Sequence, residues 1–223
     1  MPTLYITGLP LSLEKDNFSA NVINIFKKSD HIIGESRKTI LTMLSFINNK
    51  EKPFSVLNEH TTHDEKKEIL AIIKKNEINI FFSDIGTPCV ADPGYDFVDM
   101  CYNEGISILS LPGPSSITTG LSLAGFYAER FFFAGYPPLD KKERKSFFTG
   151  LNSTKETVVF IERPYYMKYL IKELEQIIDK RMAICYNIGK LNEVTIRGKI
   201  NNIKSKLINM PKAPFIVIIE GSK

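Results

Sequence analysis

The segment richest in chemistry is Ser83-Asp84-Ile85-Gly86-Thr87-Pro88-Cys89-Val90-Ala91-Asp92-Pro93-Gly94, which directly follows the apolar run Ile80-Phe81-Phe82. In an open α/β sheet, ligands bind beyond the carboxyl ends of the strands. A polar loop rich in glycine and proline at that place suits such a site. Asp84 offers a carboxylate to hydroxyl or amino groups of a ligand. Gly86 lets the main chain approach closely, and Pro88 and Pro93 restrict φ and hold the loop in shape. Asp92 and Pro93 read as helix-start residues, with Asp92 as the N-cap. A second such segment, Leu111-Pro112-Gly113-Pro114-Ser115-Ser116, leaves another apolar run and opens a helix. Free N–H groups and two hydroxyls there can bind a carboxylate or the polar edge of a nucleoside, and one of the serines is expected to cap the helix.

Other strand ends carry weaker signals. Thr7-Gly8-Leu9-Pro10-Leu11-Ser12 has neither a G-x-G-x-x-G fingerprint nor a Gly-Lys-Ser/Thr ending, which counts against nicotinamide chemistry and nucleoside triphosphate hydrolysis. Glu35-Ser36-Arg37 and Asn58-Glu59-His60 also follow strand-sized runs. Glu35 and Arg37 can pair with each other, or hold and activate a substrate hydroxyl. His60 and His63 have no third ligand nearby in sequence, so no metal site is expected.

These loops need a scaffold, and the hydrophobic pattern supplies one. Strand-sized runs at 4–6, 31–33, 54–57, 79–82 and 106–111 alternate with helical patterns at 13–28, 36–47, 64–75, 92–103 and 115–124. That alternation predicts a largely parallel sheet covered on both faces. After Pro137-Pro138-Leu139-Asp140, strands at 157–162, 182–186, 193–197 and 215–220, with helices at 141–150, 165–178 and 200–209, predict a mixed sheet. An apolar strand at 130–134 precedes the joint. The expectation is an α/β protein of two domains, 1–136 and 137–223.

Composition narrows the class. With 223 residues, 43% hydrophobic and 24% charged, the chain is an ordinary globular protein, not a disordered or fibrous one. No apolar run approaches the roughly 18 residues of a membrane span, and no signal peptide is expected at Met1. Cys89, Cys101 and Cys185 are odd in number and widely spaced, which favours small buried hydrophobes in a cytoplasmic protein over disulfides. The net charge of +4 conceals an asymmetry: residues 1–137 hold 12 basic against 16 acidic residues, and residues 138–223 hold 17 against 9. The basic surface therefore belongs to the last third, as a solvated lysine-rich face or as a seat for a phosphate-bearing partner.

Three motifs in order, Ser83-Asp84-x-Gly86-Thr87-Pro88-x-x-x-Asp92-Pro93-Gly94, Leu111-Pro112-Gly113-Pro114-Ser115, and Gly125-Phe126-x-x-Glu129-Arg130-Phe131-Phe132-Phe133-x-Gly135-Tyr136-x-Pro138, resemble the tetrapyrrole methylase family. This is the class III group of S-adenosylmethionine-dependent methyltransferases. The chain is most similar to the branch that methylates a cytidine ribose 2′-oxygen in small-subunit ribosomal RNA. The resemblance implies two α/β domains with the cofactor in the cleft between them, and a homodimer. It carries the cofactor-binding positions onto Pro10, Asp84, Gly86, Thr87, Ser115, Ser116, Glu162, Asn187, Ile188 and Pro214. Arg37, Asn58 and His60 fall where substrate would be read. The branch's usual Glu-Asp-Thr-Arg is here Glu35-Ser36-Arg37, and its Ala-Arg-Glu-Leu-Thr-Lys is Cys185-Tyr186-Asn187-Ile188-Gly189-Lys190.

Methyl transfer from a sulfonium is an in-line displacement whose donor already carries the activation, so the chemistry itself calls for no metal. Holding nucleophile, carbon and sulfur in line is worth about 7–11 kcal/mol. A general base adds about 10²–10⁴-fold, with Glu35 and Lys190 as first candidates beside His60 and Glu193. Lys190 is a base only if buried, and otherwise positions phosphate. The expected acceptor is ribosomal RNA. The alternatives are a small tetrapyrrole-like molecule, a protein acceptor, or a protein that binds S-adenosylmethionine without catalysis.

Overall fold

The structure, a computed structural model, describes residues 1–222. By contacts the chain divides into Met1–Ser115 and Ser116–Lys223. That division comes earlier than the joint expected at 136/137, because the helix and strand preceding the joint pack with the second sheet.

In the first unit, β1 (Thr3–Thr7), β2 (His31–Gly34), β3 (Phe54–Val56), β4 (Ile78–Phe82) and β5 (Ser107–Leu111) form one all-parallel sheet in the order β3-β2-β4-β1-β5. Crossovers between parallel strands are right-handed, so a step in one direction along the sheet puts its helix on one face and a step back puts it on the other. The helices α1 (Ala20–Lys28) and α2 (Arg37–Phe46) accordingly pack Phe26, Ile40 and Met43 against Ile32, Ile80 and Phe82. On the opposite face, α3 (His63–Ile73) and α4 (Tyr95–Asn103) pack Ile69, Leu70 and Phe97 against Leu4, Ile33 and Phe81. The run Ile80-Phe81-Phe82 thus feeds both cores, which is why it is apolar without alternation.

Helix starts follow their caps. The helical pattern from residue 13 breaks into a 3-10 turn at Lys15–Asn17, and α1 begins only after Ser19, whose hydroxyl accepts the Val22 N–H. A full capping box, Thr62 with Glu65, opens α3.

The second unit holds α5 (Ser116–Ala124), β6 (Phe131–Phe133), α6 (Lys141–Ser153), β7 (Thr157–Glu162), α7 (Met167–Ile177), β8 (Met182–Tyr186), β9 (Val194–Gly198), α8 (Ile200–Leu207) and β10 (Phe215–Ile219). Its sheet runs β6-β7-β10-β8-β9, with β6 and β7 parallel and the other pairs antiparallel. Helices α6, α7 and α8 cover one face through Phe148, Leu170, Leu174 and Ile203. The small-residue helix α5 covers the other. A Cβ on Gly120 would stand 2.2 Å from Ile216 Cδ1, so glycine is what lets α5 lie this close. The apolar strand β6 is an edge strand, and Phe131 and Phe132 are exposed on it. Cys101 and Cys185 are buried, whereas Cys89 is only partly so. Among the described residues, no helix is long and apolar enough to cross a membrane.

Candidate active site

Three exit loops of the first sheet are locked together through glycine. Because β4, β1 and β5 are neighbours, the loops after Phe82, Thr7 and Leu111 leave side by side. The Leu9 N–H donates to the Gly86 carbonyl at 2.9 Å, and the Gly86 N–H donates to the Leu9 carbonyl at 3.0 Å. Gly86 does so at φ +76°, a region other residues avoid. A Cβ on Gly113 would lie 2.0 Å from the Gly8 carbonyl oxygen. The main chains of these loops are therefore in contact. Pro10 and Gly86 are buried, and Thr87 is exposed. Ser115 follows the Gly113 contact and Ser116 begins α5.

Polar atoms at this edge lack a hydrogen-bond partner among the described residues. Thr7, which ends β1, is fully buried with its Oγ1 unpaired, and Asp84 Oδ1 is likewise buried and unpaired. Leaving such an atom unsatisfied costs about 1–3 kcal/mol. A ligand bringing a hydroxyl or ammonium donor relieves that cost, so Asp84 fits the cofactor expected from the sequence.

Acidic groups gather beside it. The chain leaves β2 toward β3 on one side and leaves β4 toward β5 on the other, so their exit loops part and open a crevice. Glu35 and Asp84 stand at its two lips, and the Asp84 N–H donates to Glu35 Oε2 at 2.9 Å. Burial pushes the Glu35 carboxyl above the usual carboxylate range, opposed by the Asp84 amide and reinforced by the charges of Asp84 and Glu59. Asp92 is pushed up to about 6, by burial first and then by the Glu35 charge. Asp92 is not the N-cap expected from the sequence. Gly94 occupies the cap of α4 at φ +109°, where a Cβ would meet the Phe81 ring at 2.3 Å.

Glu35 and Arg37 do not pair. Ser36 between them caps α2 by accepting the Thr39 N–H. Glu35 is held by the Asp84 amide, and the Arg37 guanidinium lies 5.2 Å over the Phe54 ring. Asn58 Oδ1 accepts the His60 N–H at 2.9 Å, and the exposed His60 ring sits 3.5 Å from Glu59. Both residues line a shallow cavity of about 390 Å³ with Glu65 and Glu68.

In the second unit, register gathers the remaining positions at one sheet edge. Phe215 pairs with both Glu162 and Tyr186, which brings Pro214 beside Asn187. The Asn187 N–H donates to the Pro214 carbonyl at 2.9 Å. Asn187 holds φ +51°, is buried, and leaves its Oδ1 without a partner. Ile188 beside it is also buried. The Glu162 side chain is engaged within its own unit. Its Oε2 accepts from Arg144 Nη2 at 2.8 Å and its Oε1 accepts the Arg163 N–H at 2.8 Å, while Arg144 also forks onto Glu173 at 2.9 and 2.7 Å. With its carboxylate fully buried and taken up, Glu162 has only its main chain to offer a ligand. Lys190 is exposed, so the burial that a lysine base requires is missing. Glu193 accepts the Gly189 N–H at 2.6 Å and closes the same turn.

Sequence reading missed Thr7 and Arg144. A threonine ending a buried strand gives no separate signal, and Arg144 sits in a charged helix that reads as solvated. Among the described residues, no group of three or more His, Cys, Asp or Glu is placed to hold a metal ion.

Comparison with known proteins gives the chain its relatives. The profile of the tetrapyrrole (corrin/porphyrin) methylases matches residues 3–204. The chain is 28% identical over 225 residues to ribosomal RNA small subunit methyltransferase I of Thermotoga maritima, covering 100% of both chains. It is 29% identical over 221 residues to the protein of the same name from Leptospira borgpetersenii, covering 96% of this chain and 87% of that one. Among solved structures, a diphthine synthase superposes with a TM-score of 0.75 at 15% identity, over 98% of this chain and 89% of that one. At that identity the likeness speaks for the fold alone.

Proposed function

The chain belongs to the tetrapyrrole (corrin/porphyrin) methylase family and is a methyltransferase, and from that premise we propose that it methylates a ribose 2′-oxygen of small-subunit ribosomal RNA with S-adenosylmethionine as donor. The observation that carries this reading is the end-to-end match to a relative named for that RNA, with 100% of both chains aligned. A homodimer in the cytoplasm is part of the same proposal.

When bound, S-adenosylmethionine supplies a methyl group on a sulfonium that needs only a nucleophile in line. Everything else falls to the chain. On the first unit, Asp84 Oδ1 accepts donors of the cofactor, and Pro10, Gly86, Thr87 and Ser115 shape the bed through main chain and hydroxyls. The contact of Gly8 with Gly113 supports that bed by fixing it before any ligand arrives, which lowers the ordering cost of binding. On the second unit, the proposed cofactor positions are Ser116, Ile188, Pro214 and Asn187 with its unpaired Oδ1, while Glu162 has only main chain to offer.

Glu35 takes the proton of the acceptor hydroxyl. Its raised pKa brings it nearer neutrality than an ordinary carboxylate, which is what a base working near neutral pH needs. Lys190, exposed, holds phosphate instead of acting as the base, and Arg37, Asn58 and His60 read the acceptor.

The test is transfer of labelled methyl groups to small ribosomal subunits from cells lacking the gene. Label entering the RNA, and falling steeply as salt rises because phosphate contacts release counterions, is the expected result. Cofactor binding without label in the RNA would discard the ribosomal substrate and move the search to small molecules and proteins.

A further inference from the structure

We propose that the amino-terminal face of α7, with Tyr136 and Lys212, is a stacking platform for unpaired nucleotides of the RNA substrate. This deepens the ribosomal reading above and rests on it. Tyr165 and Tyr169 are 59% and 65% exposed, and Tyr136 is 43% exposed. Single exposed aromatics are ordinary, but these rings are connected. Tyr165 and Tyr166 lie 5.2 Å apart between centroids, and Tyr166 and Tyr169 lie 5.9 Å apart. The Arg163 guanidinium sits 5.3 Å over Tyr136 and 6.0 Å from Tyr166, and Lys212 Nζ sits 5.3 Å over Tyr165. Ring and cation contacts thus link Tyr136, Arg163, Tyr166, Tyr165, Tyr169 and Lys212.

The charged groups over these rings are basic. Lys168 and Lys172 are exposed, and Lys172 follows Tyr169 by three residues, the spacing that shares a helix face. The carboxylates of α7 are engaged elsewhere: Glu173 is held by Arg144, and Glu175 accepts from Lys204 at 2.5 Å. Exposed aromatic faces beside the exposed Lys168, Lys172 and Lys212 match the two requirements of a single strand, a surface for each base and a charge for each phosphate. A duplex has its bases already stacked and presents no free face. The basic balance of residues 138–223 has here a local form.

The sequence contains no tryptophan, so Tyr169→Trp installs a single fluorescent reporter. Titration with a single-stranded RNA oligonucleotide should quench it, while heparin, a polyanion without bases, should bind and leave it bright. In methyl-transfer assays on small ribosomal subunits, the Tyr165→Ala/Tyr169→Ala double variant should raise KM about tenfold or more with kcat kept. Phenylalanine at both positions should restore KM, since the ring does the stacking. Equal quenching by heparin, or none by RNA, would overturn the platform. Unchanged KM in the alanine variant, with wild-type label still entering RNA, would discard the platform and leave the ribosomal reading standing. RNA-specific quenching with no label in any ribosomal RNA would keep the platform and overturn the ribosomal reading.

Discussion

Glu35 and Asp92 share one electrostatic environment, and each has a separate measurable consequence. If Glu35 is the base, Glu35→Gln should lower kcat by about 10²–10⁴-fold while the Kd for S-adenosylmethionine stays within a few-fold. In the wild type, kcat should rise with pH as Glu35 ionises, along a limb placed above the ordinary carboxylate range because burial raises its pKa. A flat profile, or an active glutamine variant, would remove Glu35 from that role. Asp92 tests the same environment through stability. Its folded pKa of about 6 lies above the ordinary value near 4. The folded state therefore binds the proton more tightly, and this contribution to stability is full below about pH 4 and lost as pH rises toward 6. Asp92→Asn should flatten that loss and raise the melting temperature at pH 7, measured by thermal unfolding at a series of pH values. The position of the 83–94 loop beyond a buried strand was legible from the apolar run Ile80-Phe81-Phe82. The elevation of Asp92 was not, because it arises from burial first and then from the charge of Glu35, 57 positions away in the chain and adjacent only through the β2–β4 pairing.

At the level of elements, glycine positions separate packing constraint from intrinsic helix propensity. A methyl group on Gly113 must displace the Gly8 main chain, so Gly113→Ala should destabilise the first unit and weaken S-adenosylmethionine binding together. Gly150, inside α6, has nothing within 4 Å of its Cβ position. Gly150→Ala should stabilise by about 0.5–1 kcal/mol in urea unfolding, through helix propensity and lost chain entropy. The Arg144–Glu162–Glu173 triad tests the second sheet. Arg144→Ala leaves the fully buried Glu162 without its charge partner and should cost about 3–5 kcal/mol. The elements themselves were readable because their apolar periods are clean, as in 79–82 and 182–186. Exact extent and neighbour order were less legible. Ser19 delays α1, a local side-chain competition hidden inside a helical pattern. The apolar β6 lies at a sheet edge, and neighbour order is not a property of any local window.

For the whole molecule, sequence periodicity predicted two sheets of different character, and the parallel and mixed five-stranded sheets agree with it. The pairing order was beyond reach, because β3-β2-β4-β1-β5 depends on which long-range contacts win. The central claim is methylation of one ribose in small-subunit RNA, and elementary chemistry provides its most direct test. A ribose methylated at its 2′-oxygen cannot take part in alkaline cleavage of the adjacent phosphodiester, so each such site appears as a gap in a hydrolysis ladder. The measurement is that ladder for small-subunit RNA from wild-type cells, cells lacking the gene, and deletion cells complemented with wild type or Asp84→Ala. The expected result is a single gap lost on deletion, restored by the wild-type chain and not by Asp84→Ala. Identical ladders in all four would contradict the assignment of this RNA as the acceptor.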